Sequence, residues 1–221
     1  MKLNKNITAL LTAAAASMMI ASPVMAYEAG DIVVRGRILL VDPQDDSSSI
    51  KANGASTGEK ATVNSDVIPE IDFTYMLTSN WGLELILAYS DHEVKTNLLS
   101  LGHIADTKVL PPTLTLQYHF APTSNIRPYA GVGINYTHYF DTELTGTLDN
   151  PGSELEIDDS FGLALQAGVD IDITEDWFVN FDVKYIDMSA DAHIKDSAFA
   201  DIRVDIDVDP IVWGIGVGTT F

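Results

Sequence analysis

Residues 212–221 read VWGIGVGTTF, an alternation of apolar with small or polar residues that stops on an aromatic, Phe221. Side chains that alternate with period two belong to a strand whose two faces meet different surroundings. Chain ends usually fray, so this pattern predicts a last strand that is apolar, ordered to its final residue and paired with something. The upstream sequence decides what that is.

The same period recurs throughout. In 32–40, IVVRGRILL, the residues Ile32, Val34, Ile38 and Leu40 oppose Arg35 and Arg37. Val67, Ile71, Phe73, Tyr75 and Leu77 oppose Glu70, Asp72 and Thr74, and Leu83, Leu85, Leu87 and Tyr89 oppose Glu84, Ala88 and Ser90. Leu110, Leu114, Leu116, Tyr118 and Phe120 oppose Thr113, Thr115, Gln117 and His119, then Ala130, Val132, Ile134 and Tyr136 oppose Gly131, Gly133, Asn135 and Thr137. Leu163, Leu165, Ala167, Val169, Ile171 and Ile173 face away from Gln166, Asp170 and Asp172, as Val179, Phe181, Val183 and Tyr185 do from Asn180, Asp182 and Lys184. With Ile211, Trp213, Ile215 and Val217 opposing Gly214, Gly216 and Gly218, the strands number eight.

Their connections alternate in length. TSN (78–80), APTSNI (121–126) and TED (174–176) are tight turns. The stretches 44–65, 91–108, 141–158 and 188–200 are long and rich in Asp, Ser, Gly and Asn. This pattern predicts an all-β fold: an eight-stranded antiparallel transmembrane β-barrel with short periplasmic turns and long extracellular loops. A soluble β-sandwich or lipocalin-like cup also alternates. Two features favour the membrane. Aromatics gather at strand ends, with Trp81, Phe120, Trp177 and Phe221 beside the short turns and Tyr89, Phe140, Phe161 and Tyr185 toward the long connections. The apolar faces also run free of charge across the ~9–11 residues of a tilted span. Lipid offers an open edge no partner, so the last strand must pair with the first.

Residues 1–26 read as a cleaved signal peptide, with Lys2 and Lys5, an apolar run from Ile7 to Ile20, the breaker Ser22-Pro23 and small Ala26 at the cleavage point. The barrel would then occupy 27–221. With 32 acidic and 12 basic residues the chain carries −20, which argues against nucleic acid as a partner. It contains no cysteine, and no cofactor, catalytic or metal-ligating set is expected: HExxH and phosphate-binding glycine motifs are missing, and none of the five histidines sits in a serine and acid arrangement.

YEAGDIVVRGRILLVDP, LPPTLTLQYHF, NIRPYAGVGINYTHYF and DPIVWGIGVGTTF together resemble the OmpW family of small Gram-negative outer-membrane proteins, which includes the alkane-uptake protein AlkL. The resemblance covers essentially the whole chain after the signal. It implies a narrow barrel in the bacterial outer membrane, in contact with lipid and lipopolysaccharide, that passes small hydrophobic molecules. It also implies that the terminal aromatic, here Phe221, is an assembly signal read by the barrel-assembly machinery.

Placing inward residues by depth gives an apolar vestibule of Leu39, Val41, Ile68, Tyr139, Ile186 and Val212 near the outer mouth. Below it lies a charged belt of Arg35, Arg37, Glu70, Asp72, Asp182 and Lys184, with Asn135 and Gln166 at the same level. Eight strands enclose just enough room for side chains, so the belt reads as a plug. A solute admitted from above would then leave sideways, and Pro111 with Pro112, which donate no ladder hydrogen bonds, mark a candidate lateral gate. The alternative is a closed structural or surface-interaction barrel whose loops serve adhesion or envelope stress without transport. Near Asp209-Pro210 the apolar phase slips from even to odd positions, which reads as a bulge, with 201–209 in an external hairpin. There Asp205, Asp207 and Asp209 form an acidic row with the chemistry for a divalent cation.

Overall fold

The computed structural model describes residues 26–44, 46–96, 102–146, 149, 152–195 and 201–221; the expected signal peptide lies almost wholly outside them. The strands are β1 (Ile32–Asp42), β2 (Asp46–Ser47), β3 (Lys51–Ala52), β4 (Ala55–Ser56), β5 (Ala61–Val63), β6 (Asp66–Met76), β7 (Trp81–Ala88), β8 (Ser90–Thr96) and β9 (Gly102–Leu110). They continue as β10 (Thr113–His119), β11 (Ile126–Leu144), β12 (Glu154–Ile157), β13 (Ser160–Asp172), β14 (Phe178–Ile186), β15 (Ser189–Lys195), β16 (Ile202–Asp207) and β17 (Ile211–Thr220).

Eight of these form the wall, in the order β10-β7-β6-β1-β17-β14-β13-β11, and pairing of β11 with β10 closes the ring. Every pairing is antiparallel. The last strand meets the first from Val33 opposite Thr220 to Asp42 opposite Ile211. Beyond it the backbone of Phe221 exchanges both hydrogen bonds with Ile32, each 2.9 Å. Closure leaves the wall without an edge strand, which is what a strand structure in lipid requires.

The wall is apolar outside and polar inside. Trp213 and Ile215 are 55% and 53% exposed, whereas Arg35 and Asp72 are wholly buried. An apolar outer surface of this extent is far larger than a soluble monomer tolerates, and hydrocarbon is the solvent that stabilises it. Glycines let large rings cross the narrow bore: a Cβ on Gly168 would lie 2.4 Å from the Tyr129 ring, and one on Gly218 2.4 Å from Phe178.

The long connections hold the remaining strands, which extend the barrel outward. One extension carries β9, β8 and β5 from the outer part of β11, and the other runs β12-β15-β16-β3-β4 with β2 on β16. Their composition is loop-like, yet Ile50, Ile194, Ile202, Val204, Ile206 and Val208 turn inward together into a core of their own. Burial of that core, roughly 25 cal/mol per Å² of apolar surface, is what holds such polar segments in strands.

The slip at Asp209-Pro210 is not a bulge. Ser189 opposes Asp207 before it and Tyr185 opposes Ile211 after it, so no residue is inserted. Ile206, Val208, Pro210 and Val212 all stay buried on the even, inward side. What changes is the medium outside, from water beside β16 to lipid beside β17. Asp209 takes a left-handed backbone conformation (φ 37°) within an unbroken register.

Candidate functional site

The inward side chains fall into three levels. The middle one is ionic. Arg35 binds Asp170 through Nε (3.1 Å) and Nη2 (2.8 Å) and Asp72 through Nη1 (3.1 Å). Arg37 reaches Glu70 at 2.6 Å, Asp72 at 2.8 Å and the Asn180 side-chain oxygen at 2.7 Å. Lys184 lies 3.0 Å from both Glu70 oxygens and 2.8 Å from Asp182. Tyr129 joins the two sides of the bore, donating to Asp182 at 2.7 Å and accepting from Arg37 and Asn180. Charges taken out of water persist only when paired and hydrogen-bonded to this degree.

All six residues expected in the belt meet in this network. Sequence reasoning missed the roles of Asp170, Asn180, Tyr129 and Glu84, whose Oε1 lies 3.4 Å from Arg37 Nη2 and 3.7 Å from Arg35 Nη1. Parity alone puts Glu84, Asp170 and Asn180 inside, but which of them reaches Arg35 across the bore depends on barrel diameter and shear. Asn135 differs from expectation. It donates to Thr113 Oγ1 at 2.9 Å and to the Pro111 carbonyl at 3.4 Å, beside the prolines and outside the ionic network.

Above the belt the interior becomes apolar. Leu39, Ile68, Ala88, Ala164, Ile186 and Val212 pack together, with Val41 and Met188 against them. All of these except Ala164 line a cavity of about 60 Å³ that also touches Pro111 and Pro210 and has Glu70 and Lys184 among its lining. This is room for no more than a few waters. Tyr139 stands apart from the cavity, its hydroxyl donating to the Ser189 carbonyl at 2.9 Å. Met188 packs against both this cluster and the extension core, so the apolar interior is continuous between them.

The wall has a seam beside this cavity. Ile86 pairs with Thr113, and Ser90 with Val109. Between those pairs no ladder contact joins Leu87–Tyr89 to Leu110–Pro112. The two flanking pairs share one register, so the seam arises without an inserted residue, where Pro111 and Pro112 bring no N–H. On its other side Pro112 still accepts from the Tyr136 amide at 3.1 Å. At ~3.4 Å per residue the seam spans roughly 14 Å along the strands.

Three histidines meet carboxylates in the outer region: His103 with Asp106 (2.9 Å), His138 with Asp159 (2.8 Å) and His193 with Asp201 (2.5 Å), all partly exposed. The Asp159 carboxyl is held below its usual range by hydrogen bonds from Tyr136 and His138. Asp205 and Asp207 lie on the outward face of β16, and among the described residues no carboxylate or histidine group has the arrangement to hold a metal ion.

The family model described as the OmpW family matches residues 28–221. Outer membrane protein W of Vibrio cholerae serotype O1 is 38% identical over 206 residues, covering 90% of this chain and 93% of that protein. Outer membrane protein AlkL of Ectopseudomonas oleovorans is 27% identical over 171 residues, covering 76% of this chain and 72% of the relative. The crystal structure of the outer membrane protein OprG from Pseudomonas aeruginosa matches with a TM-score of 0.83 and 40% identity, over 90% of this chain and 99% of that one. This chain belongs to the OmpW family and is a β-barrel of the bacterial outer membrane.

Proposed function

We propose that this barrel admits small hydrophobic molecules passively from outside, receives them in the vestibule above the ionic belt, and releases them through the Pro111-Pro112 seam into the bilayer. One observation carries the reading: an apolar interior runs from the extension core through Met188 to a cavity that ends on Glu70 and Lys184 and touches Pro111. A solute that follows this path meets paired charges below and an unbonded wall beside it. Apolar matter gains nothing by entering the belt, since displacing a paired buried charge costs several kcal/mol. The sideways exit leads directly to hydrocarbon.

The test is uptake of a hydrophobic solute into vesicles containing the purified barrel. Replacing Pro111→Thr and Pro112→Thr together restores ladder donors, and uptake is expected to fall about tenfold, the effect of stabilising the closed seam by ~1.4 kcal/mol. Unchanged uptake would remove the gate from the mechanism.

The closed structural barrel is the second reading, favoured by the small size of the cavity, which admits a solute only if side chains or wall strands move apart. Either reading involves no catalytic step. Processing after Ala26, lipopolysaccharide contact at the outer rim and recognition of Phe221 by the assembly machinery belong to this proposal as well. The Phe221 ring, 77% exposed at the end of the closing strand, is accessible for that recognition.

A further inference from the structure

The lowest level of the bore is capped by a residue outside every strand. Tyr27 precedes β1 by five positions, yet it is 1% exposed. Its amide donates to the Pro122 carbonyl at 3.0 Å and its hydroxyl to Asp170 Oδ2 at 2.8 Å. The Arg127 guanidinium lies 4.5 Å from its ring centroid, and the His119 ring meets it edge-on at 5.1 Å. Val33, Met76 and Phe178 complete its surroundings. These partners come from β1, β6, β10, β11, β13, β14 and the 121–125 turn, so the ring stands in the middle of the bore and not against one side of it.

We propose that Tyr27 is the stopper of the periplasmic end: a segment preceding the wall folds under the barrel and seats one aromatic ring that seals the ionic belt from below. Several weak attachments of different kinds hold it. The phenol is anchored by a charge-assisted hydrogen bond, its face by a cation, and its edge by His119. Asp170 serves both the stopper and Arg35, so the seal and the belt share one carboxylate. With residues 1–26 removed, as the sequence predicts, Tyr27 becomes the first residue of the chain and is tethered on one side only. Ala26, just before it, is exposed. The inference concerns the opposite end from the uptake path and stands or falls separately.

The chain has no cysteine, so one introduced thiol reports access cleanly. His119→Cys places it at the edge of the Tyr27 ring and next to Tyr129 of the belt. In purified, folded barrels, a small charged thiol reagent is expected to label this position at least about tenfold faster when Tyr27 is replaced by Gly, the change that accompanies loss of a local closing contact. Tyr27→Phe, which keeps the ring, is expected to stay within about threefold of the parent. Tyr27→Leu retains apolar bulk against Val33, Met76 and Phe178 while losing the Asp170 and Arg127 contacts. It serves if the Gly variant does not fold, with an expected rise of several fold. Equal labelling with Tyr, Gly and Leu at position 27 would overturn the stopper. Uptake of a hydrophobic solute by the Tyr27→Gly barrel is expected to be unchanged, so loss of uptake alone would count against sideways release and not against the seal.

Discussion

The membrane wall and the outer extension are built from the same strands by opposite rules. Along β14 and β15 the inward residues are Asn180, Asp182 and Lys184, then Ile186, Met188, Ala190, Ala192 and Ile194. The outward ones are Val179, Phe181, Val183 and Tyr185, then Asp187, Ser189, Asp191, His193 and Lys195. Polarity inverts on both faces between Tyr185 and Asp187 while inward residues stay inward. In β16 and β17 the inversion falls at Asp209-Pro210. The lesson is that alternation reports a contrast between two faces and is silent about which face is wet. The inversion points mark where the outer solvent changes from water to hydrocarbon, and the bore becomes apolar where the exterior becomes polar.

The largest effect that separates the two regions comes from the belt. Arg37→Met leaves Glu70 and Asp72 buried with fewer partners and is expected to cost about 3–5 kcal/mol, read from urea unfolding of the barrel in lipid vesicles. Hydrogen exchange in β15 and β16 should barely change, and a loss under ~1 kcal/mol would mean that the belt is hydrated and not a packed ionic core.

Next in size is a charge on the outer face. Ile215→Lys, facing lipid, is expected to cost about 2–4 kcal/mol near the bilayer middle. Asp205→Lys, on the outward face of the extension, should stay within about 0.5 kcal/mol. Similar costs at both positions would erase the proposed boundary between lipid and water.

The smallest effect sharpens the account of the extension itself. Asp191 stands directly opposite Asp205, and its carboxyl is pushed up by burial and by Asp205, Asp158 and Asp207. A carboxyl whose folded pKa lies above its unfolded one favours folding when protonated, and that contribution is lost as pH rises through the raised value. Exchange protection of β15 and β16 should therefore increase when pH is lowered from neutral into the carboxylate range. Asp191→Asn should stabilise the extension at neutral pH by roughly a few tenths of a kcal/mol, less at high salt, and flatten the pH dependence.

Much of this was legible in the residues. Parity put Arg35, Arg37, Glu70 and Asp72 inside, and because β1 and β6 are neighbours the pairs Arg35 with Asp72 and Arg37 with Glu70 face each other directly. Contacts across the bore were not legible: Asp170 reaches Arg35 from the far side of the ring, a relation set by diameter and shear and not by sequence spacing. Tyr27 carries no periodic signal because it belongs to no strand. The depth of Asn135 is not legible from parity because it depends on register with Thr113. The outer strands hid in composition, since residues 201–209 are rich in aspartate on one side and in Ile and Val on the other, and the second pattern governs the fold. The slip at Asp209 imitates a change of backbone geometry, but its cause is solvent.

The seam at Pro111 and Pro112 has a mechanical consequence. Most breaks in a sheet shift one strand past its neighbour, so reopening and rejoining them risks sealing out of step. Here the pairs above and below are already aligned, and the interval between them is merely unstitched. In the release path proposed above, two strands part over that interval and return without sliding, which asks for no energy source in the membrane.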